Sequence, residues 1–208
     1  MIEIEYFGGN CVKLSDKKAS IVVDDNLEEL GLKTKTSDKD ISLVTSQDIK
    51  VDKMGRFTVD CPGDYEISEV SIKGIAARAH LDESGERSTI YVIRMGDFTI
   101  AIIGHIYPEM TDDLAEKIGL VDVIIIPVGN SGYTLDPVGA IKVATQLEPK
   151  IVIPTHYADP AIKYTVPQIS LEEFLKLLSV GEAEPVKILK LKESDLGEKM
   201  RTVVVERS

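Results

Sequence analysis

LVDVIIIPVGNSGYTLDP (120–137) and PKIVIPTHY (149–157) decide the fold. VDVIIIPV is a continuous apolar run, far too short to span a membrane and of the right length for a fully buried strand. GNSG (129–132) then turns the chain. Asp136 can cap the helix that follows, and Pro137 suits its first position. Within DPVGAIKVATQLEP (136–149), the residues Val138, Ile141, Ala144 and Leu147, with Val143 adjoining, trace one apolar face. KIVIPTH is the next buried strand. Strands alternating with helices mark an α/β architecture.

The same grammar extends outward. TDDLAEKIG (111–119) reads as a short helix capped by Thr111 and ended by Gly119. ISLEEFLKLLSVG (169–181) reads as an amphipathic helix capped by Ser170, and VKILKL and RTVVVE as closing strands. The first half reads as strands. IEIEYF (2–7) alternates, with Ile2, Ile4 and Tyr6 on one face, and CVKL pairs back after the turn GGN. ASIVVDD (19–25), ISLVTS (41–46), RFTVD (56–60), YEIS and VSIKGIAARAH (70–80) continue the pattern, with CPGD (61–64) as a turn. STIYVIRM and FTIAIIG flank Gly96-Asp97, a strong hairpin signal. The expected fold is an α/β sandwich: two mixed β-sheets packed face to face with helices on the outer faces, forming one domain over 1–208.

Composition narrows the function. Of 208 residues, 43% are hydrophobic and 28% charged, the balance of a globular protein. The net charge of -11 argues against a nucleic-acid partner, because phosphate contacts need Lys and Arg. The acidic, alternating start MIEIEYFGGN lacks the basic and apolar regions of a signal peptide. With no membrane-length apolar run, the chain is expected in a reducing cytoplasm. Cys11 and Cys61 form no CxxC pair, and both are expected to be small buried hydrophobes.

Candidate chemistry lies in the histidines. All three, His80, His105 and His156, directly follow predicted strands, in GIAARAH, FTIAIIGH and PKIVIPTH. The carboxyl ends of strands are where an α/β fold presents side chains to a ligand or metal. Each alone reads as a satisfied strand-end histidine; together they point to one shared site.

The chain resembles the metallo-β-lactamase fold superfamily, an αββα sandwich of metal-dependent hydrolases, and is most similar to the small bacterial branch related to L-ascorbate-6-phosphate lactonase. The segments that carry the likeness are IEYFGGNCVKL, IVVDD with Asp24, CPGDYEISEVSIKGI, STIYVIRMGDFTIAIIGH, LVDVIIIPVGNSGYTLDP and PKIVIPTHY. The family's signature H-x-H-x-D-H departs here. On the loop after ISLVT, Ser46 stands at the first histidine, Asp48 at the second, Lys50 at the aspartate and Val51 at the last histidine. Gly9 stands where the branch often carries a histidine. His80 and His156 fall on later histidine ligands of the family, and His105 falls on its bridging aspartate.

These departures argue against an intact two-metal centre. A carboxylate bridges two cations readily, whereas a neutral imidazole offers one lone pair. Lys50 would repel the second metal or stand in for its charge. One divalent metal, zinc first, could still sit on His80, His105 and Asp48, or on His80, His105 and His156 alone, with Asp48 then either a ligand or the candidate base. Otherwise the site holds no metal and is a polar pocket. Ser46, Lys50, Asp24, Asn130 and Tyr157 are expected around it, with Tyr133 and Thr134 at its mouth. Ser131 in GNSG could help hold an oxyanion, or belong to an ordinary loop.

Two functions follow. In the first, the protein is a non-hydrolytic member of the fold that binds a small anionic ligand or serves as an assembly subunit, including a homo-oligomer. In the second, it is a single-metal hydrolase of a phosphoester or lactone.

Overall fold

Ile2, Ile4 and Tyr6 are buried on one side of β1 (Ile2–Gly8), as their alternation predicts. The turn Gly9-Asn10 returns the chain into β2 (Cys11–Ser15), antiparallel to β1. β3 (Ser20–Val23), β4 (Ile41–Leu43) and β5 (Phe57–Val59) follow. β2 and β3 are antiparallel, whereas β3, β4 and β5 run parallel. With β12 (Leu189–Leu191) beside β1, they form a six-stranded mixed sheet in the order β12-β1-β2-β3-β4-β5. The computed structural model describes residues 1–80, 85, 87–130, 132, 134–178 and 185–208.

The second sheet has seven strands in the order β13-β11-β10-β9-β8-β7-β6. β6 (Gly63–Ile67), β7 (Val70–Ala77), β8 (Ser88–Met95) and β9 (Phe98–Ile102) are antiparallel neighbours. The Gly96-Asp97 turn joins β8 to β9, with Met95 opposite Phe98. β10 (Val123–Pro127), β11 (Ile151–Thr155) and β13 (Arg201–Thr202) add on in parallel. β10 and β11 are buried at every position, which is why both read as unbroken apolar runs.

The inner faces of the two sheets share one core that includes Ile4, Tyr6, Leu43, Tyr91, Ile93, Ile125 and Ile153. A second cluster packs α1 (Asp112–Ile118), α2 (Pro137–Leu147) and α3 (Leu171–Leu177) on the outer face of the seven-stranded sheet. Thr111 caps α1 by accepting from Leu114 N, and Asp136 caps α2 by accepting from Gly139 N. Outside the six-stranded sheet, Phe7, Cys11 and Val22 are covered by Leu27, Leu30 and Ile162, which come from loops. The α/β sandwich is thus as expected, with helical cover on one side among the described residues.

Three readings change in detail. Val138 was expected on the buried face of α2 and is 64% exposed; the face that packs is Gly139, Ala140, Val143, Ala144 and Leu147. Cys61 was expected to be buried and is exposed at a turn, its Sγ 3.1 Å from Tyr65 Oη. Gly63 and Asp64, expected in the turn CPGD, already belong to β6. The predicted end of the last helix at Gly181, and the candidates Ser131 and Tyr133, lie outside the described residues.

Candidate functional site

Where β3, β4, β9 and β11 end, each delivers a polar residue: Asp24, Thr45, His105 and His156. Carboxyl ends of parallel strands gather loops at one edge of the sheets, and this edge carries the site. Two of the four hold a backbone conformation uncommon outside glycine. Asp24 has φ 46° and His156 φ 54°, both left-handed. Local bonds hold them there. His156 N donates to Gly9 O at 2.8 Å, and Asp24 N donates to Leu43 O at 2.9 Å.

Asp24 is wholly buried and joins the sheets. Its Oδ1 accepts from Thr45 N at 2.8 Å, and its Oδ2 accepts from Thr45 Oγ1 at 2.6 Å and Asn10 Nδ2 at 3.1 Å. Asn10 Oδ1 in turn accepts from Thr155 Oγ1 at 2.8 Å, reaching the second sheet. Burial raises the Asp24 carboxyl to about 6, and the bonds from Thr45 and Asn10 oppose that rise.

Above this network lies a small cavity of about 40 Å³, room for a few water molecules. Asn10, His105 and His156 line it from the strand ends, and Ile49 from the loop after β4. Asn26, Glu29 and Leu30 reach it from the loop after β3. Asp25 holds that loop in place: its Oδ2 accepts from Thr34 Oγ1 at 2.7 Å and from Thr36 N and Oγ1, both at 2.6 Å. Lys163, Tyr164, Thr165, Val166 and Gln168 close the far wall.

The rings of His105 and His156 meet edge to face, 5.0 Å apart. Tyr164 lies 4.9 Å from His156 on a tilted plane. Gln168 Oε1 is 3.2 Å from His156 Nδ1. Burial is the main cause that lowers His156 to about 3, with the neighbouring His105 adding to it, so this imidazole is neutral at ordinary pH.

The other candidates are placed elsewhere. His80 is tied to His105 through the backbone, donating from N to His105 O at 2.9 Å, but its ring is not part of the cavity wall. That ring is half-buried, 6.3 Å from Tyr107, with Nδ1 buried and unpartnered, and burial lowers its pKa. Asp48 points to the surface, where Arg87 Nη2 donates to its Oδ1 at 2.5 Å. Lys50 is exposed. Ser46 is buried and accepts from Asp48 N at 3.3 Å. Asn130 is exposed with φ 65° and holds its turn by donating from N to Leu135 O. Thr134 is buried, its hydroxyl on Leu135 O. Tyr157 packs on Tyr6, ring centroids 5.6 Å apart. Asn10, Asn26, Glu29, Lys163, Tyr164 and Gln168 escaped the sequence reading. Only the turn GGN hinted at one of them.

The metal implied by this kind of fold finds a poor donor set. Among the described residues, no three His, Cys, Asp or Glu side chains are grouped to hold a metal ion. Two imidazoles adjoin, one with Nδ1 engaged by Gln168, while Asp48 is engaged by Arg87. A structural or catalytic zinc takes at least three protein ligands. The residues as arranged do not fit it.

A model of the β-lactamase superfamily domain matches residues 3–156. No curated protein matches the chain significantly. Among solved structures, the chain is similar to a metallo-β-lactamase superfamily protein from Thermotoga maritima, provisionally assigned as a zinc-dependent hydrolase. The two are 27% identical over 99% of each chain, with a TM-score of 0.76. It shares its fold with Igni18, a metallo hydrolase from Ignicoccus hospitalis, at 15% identity over 92% of this chain and 99% of that one, TM-score 0.58. It also shares the fold of the metallo-β-lactamase fold protein YhfI from Bacillus subtilis, at 9% identity over 100% of this chain and 98% of that one, TM-score 0.59. The chain belongs to the β-lactamase superfamily, and its fold is the metallo-β-lactamase fold. No helix among the described residues is long and apolar enough to cross a membrane.

Proposed function

We propose that this superfamily member binds a small anionic ligand in the pocket of His105 and His156 and does not carry out two-metal hydrolysis. One observation carries the reading: the segment 46–51 after β4 turns its one carboxylate, Asp48, outward to Arg87. What that loop contributes to the pocket is the apolar Ile49. Glu29 is the one carboxylate among the described residues that line the pocket, too few anions for two adjacent cations. Lys163 and Asn26, among the residues at its wall, are of types suited to an anion. Its small volume suits a ligand of few atoms.

The similarity to the Thermotoga protein supports a second reading, a single-metal hydrolase. The substrate would be a phosphoester or lactone, the class implied by resemblance to the lactonase branch. Metal content separates the two. The purified protein is dialysed against zinc and against manganese, then analysed for bound metal. The first reading expects no stoichiometric metal and no metal-dependent esterase or lactonase turnover. One equivalent retained, and lost in His105→Ala, overturns it in favour of the second.

A further inference from the structure

A second cleft opens on the edge opposite the pocket. Ser20, Ile41 and Phe57, the first residues of the parallel strands β3, β4 and β5, line it, whereas the pocket lies past the other ends of these strands. Its volume is about 550 Å³, within the range of small-molecule sites. Four cations line it, Lys17, Lys18, Lys39 and Arg56, against two carboxylates, Asp16 and Asp38. The whole chain has the opposite balance, 24 Lys and Arg against 35 Asp and Glu. Both carboxylates are engaged. Asp16 Oδ1 accepts from Lys18 N and Ala19 N, each at 2.8 Å, and Asp38 pairs with Lys53 at 2.8 Å. Lys18 pairs with Glu69. Lys17, Lys39 and Arg56 are exposed and make no ion pair among the described residues.

The backbone beneath these three cations is fixed. The bonds to Asp16 hold the turn that carries Lys17. Buried Asp40 accepts from Ser37 N and Oγ, both at 2.7 Å, and so shapes the turn that carries Lys39. Arg56 N donates to Asp40 O at 2.8 Å, and Gly55 N donates to Ser42 Oγ at 2.9 Å. A Cβ on Gly55 would stand 2.2 Å from Asp40 O, so this close approach requires glycine. Cations held on fixed turns around one cleft repel each other, and a bound anion offsets that repulsion. Phe57, 43% exposed, adds an apolar surface, with the Arg56 guanidinium 5.3 Å from its ring centroid. We propose that this cleft binds a phosphorylated small molecule, its phosphate held by Lys17, Lys39 and Arg56 and its organic part laid on Phe57. The net charge of -11 repels extended anionic surfaces such as a membrane or nucleic acid, which leaves a small soluble ligand. This second site does not rest on the reading of the histidine pocket.

The test titrates the full-length, 15N-labelled protein with inorganic phosphate and with phenyl phosphate, at an ionic strength held constant with sodium chloride. The amide signals of Lys17, Lys39 and Arg56 are expected to shift and saturate. Phenyl phosphate is expected to bind about tenfold tighter than phosphate, the value of one well-placed ring. Lys39→Gln and Arg56→Gln are each expected to weaken phosphate binding about tenfold, as the loss of a charged hydrogen bond does. Without phosphate, both variants are expected to unfold at the wild-type temperature or above it, since repulsion is relieved. Phe57→Ser is expected to erase the preference for phenyl phosphate and to leave phosphate binding unchanged. Shifts that fail to saturate, or that survive in the double variant Lys39→Gln/Arg56→Gln at Lys17, would overturn the site. A lower unfolding temperature in the phosphate-free variants would make these cations structural and overturn it too. Equal binding of the two probes overturns the ligand class. Shifts of the Asn26 and Lys163 amides in the double variant report on the histidine pocket alone, so either proposal can fail without the other.

Discussion

The two rims of the pocket differ in kind. The rim after β4, Ser46 to Val51, carries the positions at which relatives by resemblance hold most of their metal ligands. Here it is mostly at the surface, with the Asp48 side chain 52% exposed. The rim formed after β9 and β11 is packed: His105 is 8% and His156 5% exposed, ring against ring. A solvated rim can change its side chains at little cost to the fold, whereas a change in a packed rim must be repacked. The two histidines are part of a built structure. Gly9, Tyr164, Gln168 and Gly129 hold His156 by contacts that involve no metal. Beneath both rims the same hydrogen-bonded chain runs Thr45–Asp24–Asn10–Thr155.

Breaking the packed rim should have the largest effect. In Gly129→Ala the new methyl would lie 2.0 Å from the His156 carbonyl oxygen, and backbone cannot give way as a side-chain tip can. We expect a loss of about 3 kcal/mol or more in urea unfolding, at the upper end for overpacked sites. A loss under 1 kcal/mol would show that the packed rim yields as easily as the solvated one.

The buried titrating groups of the site oppose each other. His156, held at about 3 and therefore neutral in the fold, is protonated on unfolding below the ordinary histidine range. Its contribution to stability is lost as pH falls from about 6.5 toward 3. Asp24, raised to about 6, keeps its proton in the folded state through a window in which the unfolded chain has released it. Its contribution grows as pH falls from 6 to about 4. Stability should therefore be nearly flat between pH 6 and 4, tilted slightly downward by His80, whose pKa is also lowered. Removing one member exposes the other. His156→Gln should gain up to about 3 kcal/mol on going from pH 6 to pH 4, the value of a two-unit shift. A wild-type profile that falls steadily across this window would mean that Asp24 is ionised throughout.

Thr45→Val tests the floor that the rims share. It removes the hydroxyl donor to Asp24 Oδ2 while leaving the donation from Thr45 N to Oδ1. An under-satisfied buried carboxylate costs about 2 kcal/mol. Asp24 should rise further, moving the alkaline end of its window upward from pH 6. An unchanged profile would separate the floor from the rims.

How much of this was legible in the sequence follows from what fixes each part. The strands were readable because burial on one face or both leaves an alternating or continuous apolar pattern, as in IEIEYF and VDVIIIPV. The buried face of α2 was misplaced because its contact uses small residues. Gly139 and Ala140 approach closely: a Cβ on Gly139 would be 3.0 Å from Pro108, while the more apolar Val138 points outward. A reading weighted by apolarity selects the wrong side there. The histidine pair was visible because strand ends imply a common edge. Gln168, Lys163 and Tyr164 were not, since 159–169 has no periodicity and reaches the pocket through a chain return. The outward turn of Asp48 depends on Arg87, 39 residues away, a pairing no local pattern encodes.

Asp48→Ala is the smallest expected change and the sharpest check on the solvated rim. Asp48 and Arg87 are each about half exposed, so their charges are well screened and their pairing adds little to stability. The backbone bond from residue 48 N to Ser46 Oγ does not depend on the side chain removed. The substitution should cost less than about 1 kcal/mol in urea unfolding. That difference should shrink further in high salt, because screening weakens the pair in the wild type and has nothing to weaken in the variant. A loss above 2 kcal/mol, or one insensitive to salt, would make Asp48 a structural anchor comparable to the histidines. The two rims would then be alike, and the outward turn of this carboxylate would need an origin in packing rather than in the freedom of an exposed loop.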